Sequence, residues 1–388
     1  MYIPRTIEPL VKESLFKNKV VIIYGPRQVG KTTLVKKIAA DLNLPFIYLN
    51  CDESEVRNVL TGGDSSVKLK QLIGDKKLII LDEAQRIKDI GLKLKLLIDN
   101  FPDQQVVATG SSSFELVNEI VEPLTGRNLP FWLYPFSLQE LTFIWNRLTL
   151  LQNLEQLMIY GSYPSAVLAK TILEKEKNIK LLASDNLYRD IVKFQSLKNS
   201  QTVHKLLSAL ALQTGSEVSY REIGELIGTS RQTAENYAEI LEKSFILFKT
   251  LPFSRNLRKE VGKMRKVYFW DNGIRNAVID SFQPLSLRLD VGALWENFII
   301  GEIKKRQVDI LNSHNLHFWR TYDQQEIDLV EVVSGRLLAT EIKWQKLKKS
   351  PPKAWSESYK DYSWNSVNKD NYLDYLLEKK STVGNWGK

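Results

Sequence analysis

Over roughly the first 145 residues, short apolar, β-branched runs alternate with stretches in which apolar residues recur every three or four positions. The runs Lys19-Val-Val-Ile-Ile-Tyr24, Pro45-Phe-Ile-Tyr-Leu49, Lys77-Leu-Ile-Ile-Leu-Asp82, Gln105-Val-Val-Ala-Thr109 and 129–133 have the length of buried strands, and Leu34, Ile38 and Leu42 follow the first at helical spacing. Strands alternating with helices predict a parallel sheet covered by helices, the α/β class. Beyond 150 the pattern turns helical, broken by Tyr160-Gly-Ser-Tyr-Pro164. From 202 the periodicity gives one helix to 213, a second over 219–227, the turn Gly228-Thr-Ser230, and a third over 231–242 with Ser230 as its N-cap. Two helices joined by a short glycine-containing turn make a helix-turn-helix, and the apolar Phe245-Ile-Leu-Phe248 and basic 255–266 suit the strands and wing of a winged helix. The last hundred residues return to mixed strands and helices, a second α/β unit. The expected domains are 1–147, a helical lid over 148–200, 201–284 and 285–388.

The first strand runs into Gly25-Pro26-Arg27-Gln28-Val29-Gly30-Lys31-Thr32-Thr33, which is Gly, four residues, Gly, Lys and Thr. Between a strand and a helix this spacing makes a phosphate-binding loop. Its glycines let the backbone wrap a phosphate, N–H groups at the helix N-terminus supply partial positive charge, Lys31 reaches the β/γ oxygens, and Thr32 offers Mg²⁺ a hydroxyl. ATP and Mg²⁺ are the cofactors implied. About fifty residues on, the third strand ends in Asp82-Glu83. Asp82 is expected to hold the Mg²⁺ shell through water or Thr32, and Glu83 to polarise the water that attacks the γ-phosphate. The fourth strand ends in Thr109-Gly110-Ser111-Ser112-Ser113, where Thr109 or Ser111 would hydrogen-bond the γ-phosphate or the attacking water; the serines read equally well as a helix N-cap. Arg127 is a candidate for stabilising transition-state charge, in its own subunit or in a neighbour, against the simpler reading of a surface arginine.

In the helix-turn-helix the second helix would present Arg231, Gln232 and Asn236 to base edges, with Arg255, Arg258, Lys259, Lys263, Arg265 and Lys266 on phosphates. Glu235, Glu239 and Glu242 make that helix acidic, so a packing or interdomain role competes. In the last unit, a two-residue loop at Ser334-Gly335 would set Asp328 opposite Glu341, with Lys343 two residues on along the same face. Opposed carboxylates destabilise a sheet unless something cationic lies between them. A divalent ion held by Asp328 and Glu341, with Lys343 aiding a water nucleophile, is what metal-dependent phosphodiesterases need; a structural hairpin with solvated charges is the alternative. With no His or Cys in place, that second ion would be Mg²⁺ or Mn²⁺. Trp344 and Trp355, among Lys346, Lys348, Lys349 and Lys353, would stack on nucleic acid or pack beneath a solvated loop.

Composition narrows this little. With 388 residues, 43% hydrophobic and 26% charged, a soluble chain of two to four domains is expected. The lone Cys51 excludes internal disulfides, and His204, His314 and His317 build no zinc spacing. No apolar run approaches bilayer length and Met1-Tyr-Ile-Pro-Arg5 is unlike a secretory signal, so a cytoplasmic chain without a membrane partner is expected. A formal charge of +9 favours DNA or another nucleic acid as partner, or reflects a loose excess of surface lysine.

Taken together, Gly25 to Thr32, Leu81-Asp-Glu-Ala-Gln85, Thr109-Gly-Ser-Ser112, Thr125-Gly-Arg127, Pro135-Phe-Ser-Leu-Gln-Glu-Leu141, Gly161-Ser-Tyr-Pro164, Tyr268-Phe-Trp-Asp-Asn-Gly-Ile274, Trp295-Glu-Asn-Phe298 and the block from Glu326-Ile-Asp328 to Glu341-Ile-Lys343 resemble the predicted AAA+ ATPases of bacteria and archaea in which a P-loop domain precedes a C-terminal domain of unknown function. The resemblance implies ATP binding and hydrolysis, a role for Arg127, a winged helix, and a C-terminal domain similar to PD-(D/E)XK nucleases with carboxylates Glu296, Asp328 and Glu341 beside Lys343. The function expected is a Mg²⁺-dependent ATPase whose nucleotide state regulates a winged helix and a nuclease-like module on nucleic acid. Its rival is a nucleotide switch that senses a protein partner and cuts nothing; a protein partner or a homo-oligomer is the assembly expected.

Overall fold

The computed structural model describes residues 2–62, 65–110, 124–192, 200–254, 265–308, 315–333 and 335–377. Ser111, the wing residues Arg255, Arg258, Lys259 and Lys263, and Ser334 therefore lie outside the described residues. The chain forms two compact units, one built on the sequence up to Tyr134 and the other from Pro135 onward, with short exchanges near 243–245 and 308. No helix among the described residues is long and apolar enough to cross a membrane.

The first unit is a five-stranded sheet in the order β2-β3-β4-β1-β5, with β1 at Val20–Tyr24, β2 at Phe46–Asn50, β3 at Leu78–Asp82, β4 at Gln105–Gly110 and β5 at Asn128–Trp132. Every pairing is parallel. Parallel strands buried on both faces read as continuous apolar runs, and all five residues of β1 and of β3 are buried accordingly. Helices α1 (Glu8–Glu13), α2 (Lys31–Leu42), α3 (Ser54–Thr61), α4 (Ser66–Ile73) and α5 (Ile90–Asn100) accompany the sheet. Helix α2 turns Leu34, Val35, Ile38 and Ala39 inward, the spacing that predicted it.

The second unit opens with α6 (Leu138–Leu141), whose N-cap Ser137 and Glu140 form a reciprocal capping box. Helices α7 (Arg147–Gln152), α8 (Leu154–Tyr160), α9 (Pro164–Val167), α10 (Ile172–Val192), α11 (Ser200–Leu212), α12 (Tyr220–Ile227) and α13 (Arg231–Lys243) follow. A seven-stranded sheet then runs in the order β12-β11-β10-β9-β7-β8-β6. Its strands are β6 (Glu217–Val218), β7 (Leu247–Pro252), β8 (Arg265–Phe269), β9 (Leu316–Arg320), β10 (Glu326–Val333), β11 (Arg336–Ile342) and β12 (Tyr362–Val367). The strands after the helix-turn-helix and those of the last hundred residues thus share one sheet, joined by the parallel pair β7–β9. The hairpin β10–β11 has the register expected of a two-residue loop, from Leu329↔Thr340 to Val333↔Arg336.

Helices α14 (Asn272–Val278), α15 (Val291–Lys304), α16 (Lys353–Ser358) and α17 (Tyr372–Leu377) also belong to this unit. The motifs Gly161-Ser-Tyr-Pro164 and Trp270-Asp-Asn-Gly273 meet here, for a Cβ on Gly161 would lie 1.9 Å from Asp271 Oδ1. Asp271 accepts from Ser162 N at 2.7 Å and caps α14 through Ile274 N at 3.2 Å. Both motifs are therefore packing devices. Of the two readings of Trp355, packing describes it and stacking on nucleic acid does not: it is fully buried at 0% exposure among Trp319, Ile327, Val330 and Tyr359. Trp344 packs its ring edge-on against Trp295.

Candidate functional site

β1 delivers the chain into the loop at Gly25, where a Cβ would stand 2.0 Å from the carbonyl oxygen of Leu133, so only glycine lets the loop turn this closely against the neighbouring segment. Pro26 and Val29 are buried, Arg27 half-buried and Gln28 exposed, with Gln28 left-handed at φ 60°. Helix α2 begins at Lys31, and no side chain of its N-cap, Gly30, closes its first turn. Lys31 is 5% exposed and donates to the carbonyls of Gly25 and Pro26, each at 2.9 Å. Thr33 faces outward on the same turn.

Asp82 gathers hydroxyls at the end of β3. Thr32 Oγ1 donates to its Oδ2 at 2.7 Å, Tyr48 to the same oxygen at 2.6 Å, and Thr109 to Oδ1. Tyr48 titrates well above its usual range, because burial and the Asp82 charge both oppose a phenolate. Nearby Cys51 is inert, its thiol pushed up to about 12 by burial and by Asp82. Glu83 follows in a left-handed conformation at φ 54°, a strained setting for glutamate that turns the chain out of the strand. Its N–H donates to Thr109 Oγ1 at 3.1 Å, and Gln85 Nε2 donates to its Oε2 at 2.6 Å.

Lys31, Thr32, Asp82 and Glu83 are thus assembled at one end of the sheet. Thr109, expected to touch phosphate or water, instead spends its proton on Asp82 and accepts from Glu83, so it orients the acidic pair. Arg127 is not brought there. It precedes β5, which runs parallel to β1 with Val20 opposite Asn128 and Tyr24 opposite Trp132, and the loop leaves from the Tyr24 end. Four residues of strand, about 13 Å at ~3.3 Å each, separate the two ends. Arg127 is half-exposed and pairs with Asp99 at 3.2 Å, which corrects action on its own subunit's phosphates. Sequence reasoning gave no role to Arg5, Tyr48 or Gln85, although Gln85 stands in the Leu81-Asp-Glu-Ala-Gln85 motif and Tyr48 lies near the end of an apolar run.

In the second unit, Arg231, Gln232 and Asn236 of α13 are exposed, and Gln232 donates to Asn236 at 2.9 Å. Glu235 and Glu242 have internal partners, Arg265 at 3.6 Å and Lys249 at 3.2 Å. Lys266, expected on a phosphate, is 2% exposed and held between Glu296 and Glu326, so that assignment is corrected.

A cleft of about 480 Å³ opens beside β10 and β11, lined by Gln324, Glu326, Asp328, Glu341, Lys343 and Lys348 among others. The pairing of β10 with β9 slips by one residue between Ile327 and Val330, a bulge that holds Asp328. Asp328 and Glu341 are buried at 4% and 1% exposure. Lys343 Nζ lies 3.0 Å from Asp328 Oδ2 and 3.0 Å from Glu341 Oε1, while Lys348 pairs with Glu341 as well. Asp328 Oδ2 also accepts from Ile342 N at 2.7 Å. Burial lowers the Lys343 pKa, but the two carboxylates outweigh it and the ammonium is held above its ordinary range. Glu296 accepts from Tyr268 at 2.6 Å and from Lys266 at 3.2 Å. Its carboxyl is pushed up to about 7 by burial, with Lys266 opposing and Asp328 adding to the rise. Among the described residues no three acidic, His or Cys side chains are grouped to hold one metal ion, and ammonium groups stand between the expected ligands.

Three family models match successive parts of the chain: an AAA domain over 17–142, Domain of unknown function (DUF8612) over 151–285, and Domain of unknown function (DUF4143) over 291–385. An uncharacterized protein of Mycobacterium tuberculosis is 26% identical over 336 residues, covering 86% of this chain and 72% of that protein. An uncharacterized protein of Methanocaldococcus jannaschii is 25% identical, covering 92% and 82%. A replication factor C large subunit of Methanosarcina acetivorans is 31% identical over 103 residues, 22% of this chain and 17% of that subunit. Among solved structures, a RuvB variant of Thermotoga maritima aligns at TM-score 0.31 with 16% identity, covering 62% of this chain and 87% of that one. With Lys31, Thr32, Asp82 and Glu83 gathered at the end of a parallel sheet, the region 17–142 is similar to AAA-type P-loop ATPase domains.

Proposed function

We propose that the protein binds and hydrolyses ATP with Mg²⁺ at the first unit. The observation that carries this is the 2.7 Å hydrogen bond between Thr32 and Asp82, which brings the two halves of a nucleotide site together from positions fifty residues apart. The donors fit the cation: Thr32 Oγ1 and the Asp82 carboxylate are hard oxygens of the kind Mg²⁺ selects. Thr32 and Asp82 would hold the Mg²⁺, which when bound would supply positive charge against the negative charge that develops on the phosphates. Lys31 supplies a second positive group, exchanging the Gly25 and Pro26 carbonyls for phosphate oxygens. Glu83 orients the attacking water and takes up its proton, steadied through Gln85 and Thr109. Equilibrium binding and phosphate release test this in two variants. Lys31→Ala is expected to lose binding, and Glu83→Gln to keep binding while losing turnover. Wild-type turnover by Glu83→Gln would remove that residue from the mechanism.

The exposed Arg231, Gln232 and Asn236 and the carboxylate–lysine cleft support a further reading, in which nucleotide state regulates a winged helix over 201–284 and a nuclease-like module over 285–388 acting on nucleic acid. The lysines already neutralising Asp328 and Glu341 favour the rival, a non-cutting switch that senses a protein partner. Stimulation of ATP turnover by DNA, by RNA or by neither separates the two.

A further inference from the structure

Arg5 lies before the first helix, in a segment whose other buried residues, Ile3, Ile7 and Val11, are apolar. It is itself only 5% exposed. A fully charged guanidinium is costly to bury, and its geometry shows what it is matched to. One terminal nitrogen donates to the carbonyl of Val29 at 2.6 Å and the other to the carbonyl of Tyr134 at 2.6 Å. Val29 is in the phosphate loop, between Gln28 and Gly30, and Tyr134 follows β5. Arg5 thereby clamps two segments more than a hundred residues apart, and one of them is the loop itself.

The consequence follows from the planarity of the peptide bond. In a trans peptide the carbonyl and the N–H of the next residue point in opposite directions. Drawing the Val29 oxygen toward Arg5 fixes the Gly30 N–H on the other side of the peptide, away from Arg5. Gly30 is the N-cap of α2, where N–H groups must aim at the anion for the loop to bind phosphate. We propose that Arg5 is a positioning residue for the phosphate loop, holding the Val29–Gly30 peptide in the orientation that offers its N–H to a bound phosphate. It acts through the backbone and touches no nucleotide. This rests on the nucleotide-binding reading of the loop.

The experiment measures ADP affinity of the full chain with a fluorescent ADP analogue, and unfolding midpoints, for the wild type, Arg5→Lys and Arg5→Ala. The lysine keeps the charge but has one ammonium and cannot span both carbonyls. Arg5→Lys is expected to unfold near the wild-type midpoint and to bind ADP at least about tenfold more weakly, since a charge-assisted hydrogen bond fixing the cradle is lost. Arg5→Ala should bind more weakly still. A purely structural arginine would lower the midpoint of Arg5→Lys and leave the affinity of its folded fraction unchanged. ADP affinity within twofold of wild type in folded Arg5→Lys overturns the proposal, whether or not Arg5→Ala folds. If the wild type itself binds no ADP, the nucleotide reading fails and the proposal with it, an outcome distinct from wild-type binding that the variants retain.

Discussion

Val20 donates its backbone N–H to the carbonyl oxygen of Arg127 at 2.9 Å. That bond pins Arg127 to the end of the first sheet where β1 begins, while the phosphate loop leaves from where β1 ends. An arginine there has two uses left, a surface ion pair with Asp99 or a role toward the nucleotide of a neighbouring copy.

The two uses give different kinetics. If Arg127 serves a neighbour, Arg127→Ala should lower turnover by about 10³-fold or more with little change in nucleotide affinity. Mixing Arg127→Ala with Glu83→Gln should then restore activity, because one mixed interface carries both an intact arginine and an intact glutamate. If the exposed pair with Asp99 is its whole role, the substitution should cost at most about 1 kcal/mol of stability and leave turnover alone. Steady-state rates of the two variants, separately and mixed, decide between them.

Duplex DNA binding, if α13 provides it, now rests on fewer residues. Lys266 is buried and Arg265 faces Glu235, which leaves Arg231, Gln232 and Asn236 exposed on α13 alongside the acidic Glu239 and, at its end, Lys243. Arg231→Ala should weaken binding and reduce the dependence of log K on log salt by about 1 if Arg231 meets a phosphate. An unchanged salt slope together with weaker, less selective binding would assign it to a base edge instead. Retained affinity would remove it from the interface.

Much of this was legible in the sequence because its causes are local. Apolar runs gave the five strands, the Gly–Lys–Thr spacing gave the loop, and the two-residue turn gave the register from Leu329↔Thr340 to Val333↔Arg336, whose pairs stop one short of Asp328 and Glu341. What escaped is non-local. No periodicity announces that β7 pairs with β9, which joins segments about sixty residues apart into one sheet. Lys266 reads in the sequence like the other basic residues of 255–266 until Glu296 and Glu326 are folded onto it, and the carbonyl partners of Arg5 come from distant segments. The position of Arg127 was available in principle: a residue that precedes a parallel strand lies at the end opposite the loop that follows one.

A second charged cluster gives a pH dependence with a definite sign. Asp290 is partly buried, which raises its pKa, but Arg288 donates to both its oxygens at 2.8 Å and Arg275 to one at 2.6 Å. The arginines prevail and its carboxyl is lowered to about 2. A carboxylate depressed on folding contributes stability that is present above its unfolded pKa, near 4, and lost as pH falls toward 2. With a third of the side chain exposed, that contribution is about 1–2 kcal/mol. Asp290→Asn should therefore lower the urea midpoint at pH 7, with the gap to wild type closing between about pH 4 and pH 2. A gap that stays constant across this window would mean the effect is packing, not charge.

The last prediction concerns Lys343, whose ammonium lies 3.0 Å from both Asp328 and Glu341. Two carboxylates buried this deeply need positive charge beside them, and Lys343 and Lys348 provide it. If the pair is only a structural counter-ion for the lysines, Lys343→Ala should destabilise the protein by roughly 1–3 kcal/mol, less than a fully buried pair would cost because the lysine is 43% exposed, and divalent ions should not repair the loss. If the cleft is a cation site, millimolar Mg²⁺ or Mn²⁺ should restore much of the stability of Lys343→Ala, should stabilise the wild type less because the ammonium competes, and should do nothing for Asp328→Ala. Urea midpoints of the three proteins with and without each ion measure this directly. A nuclease assay on single- and double-stranded DNA and RNA then settles whether a bound cation has a substrate to act on. Metal-independent stability in Lys343→Ala, with every polymer left intact, would make the cleft a salt-bridged hairpin and leave the partner-sensing switch as the better account of the second unit.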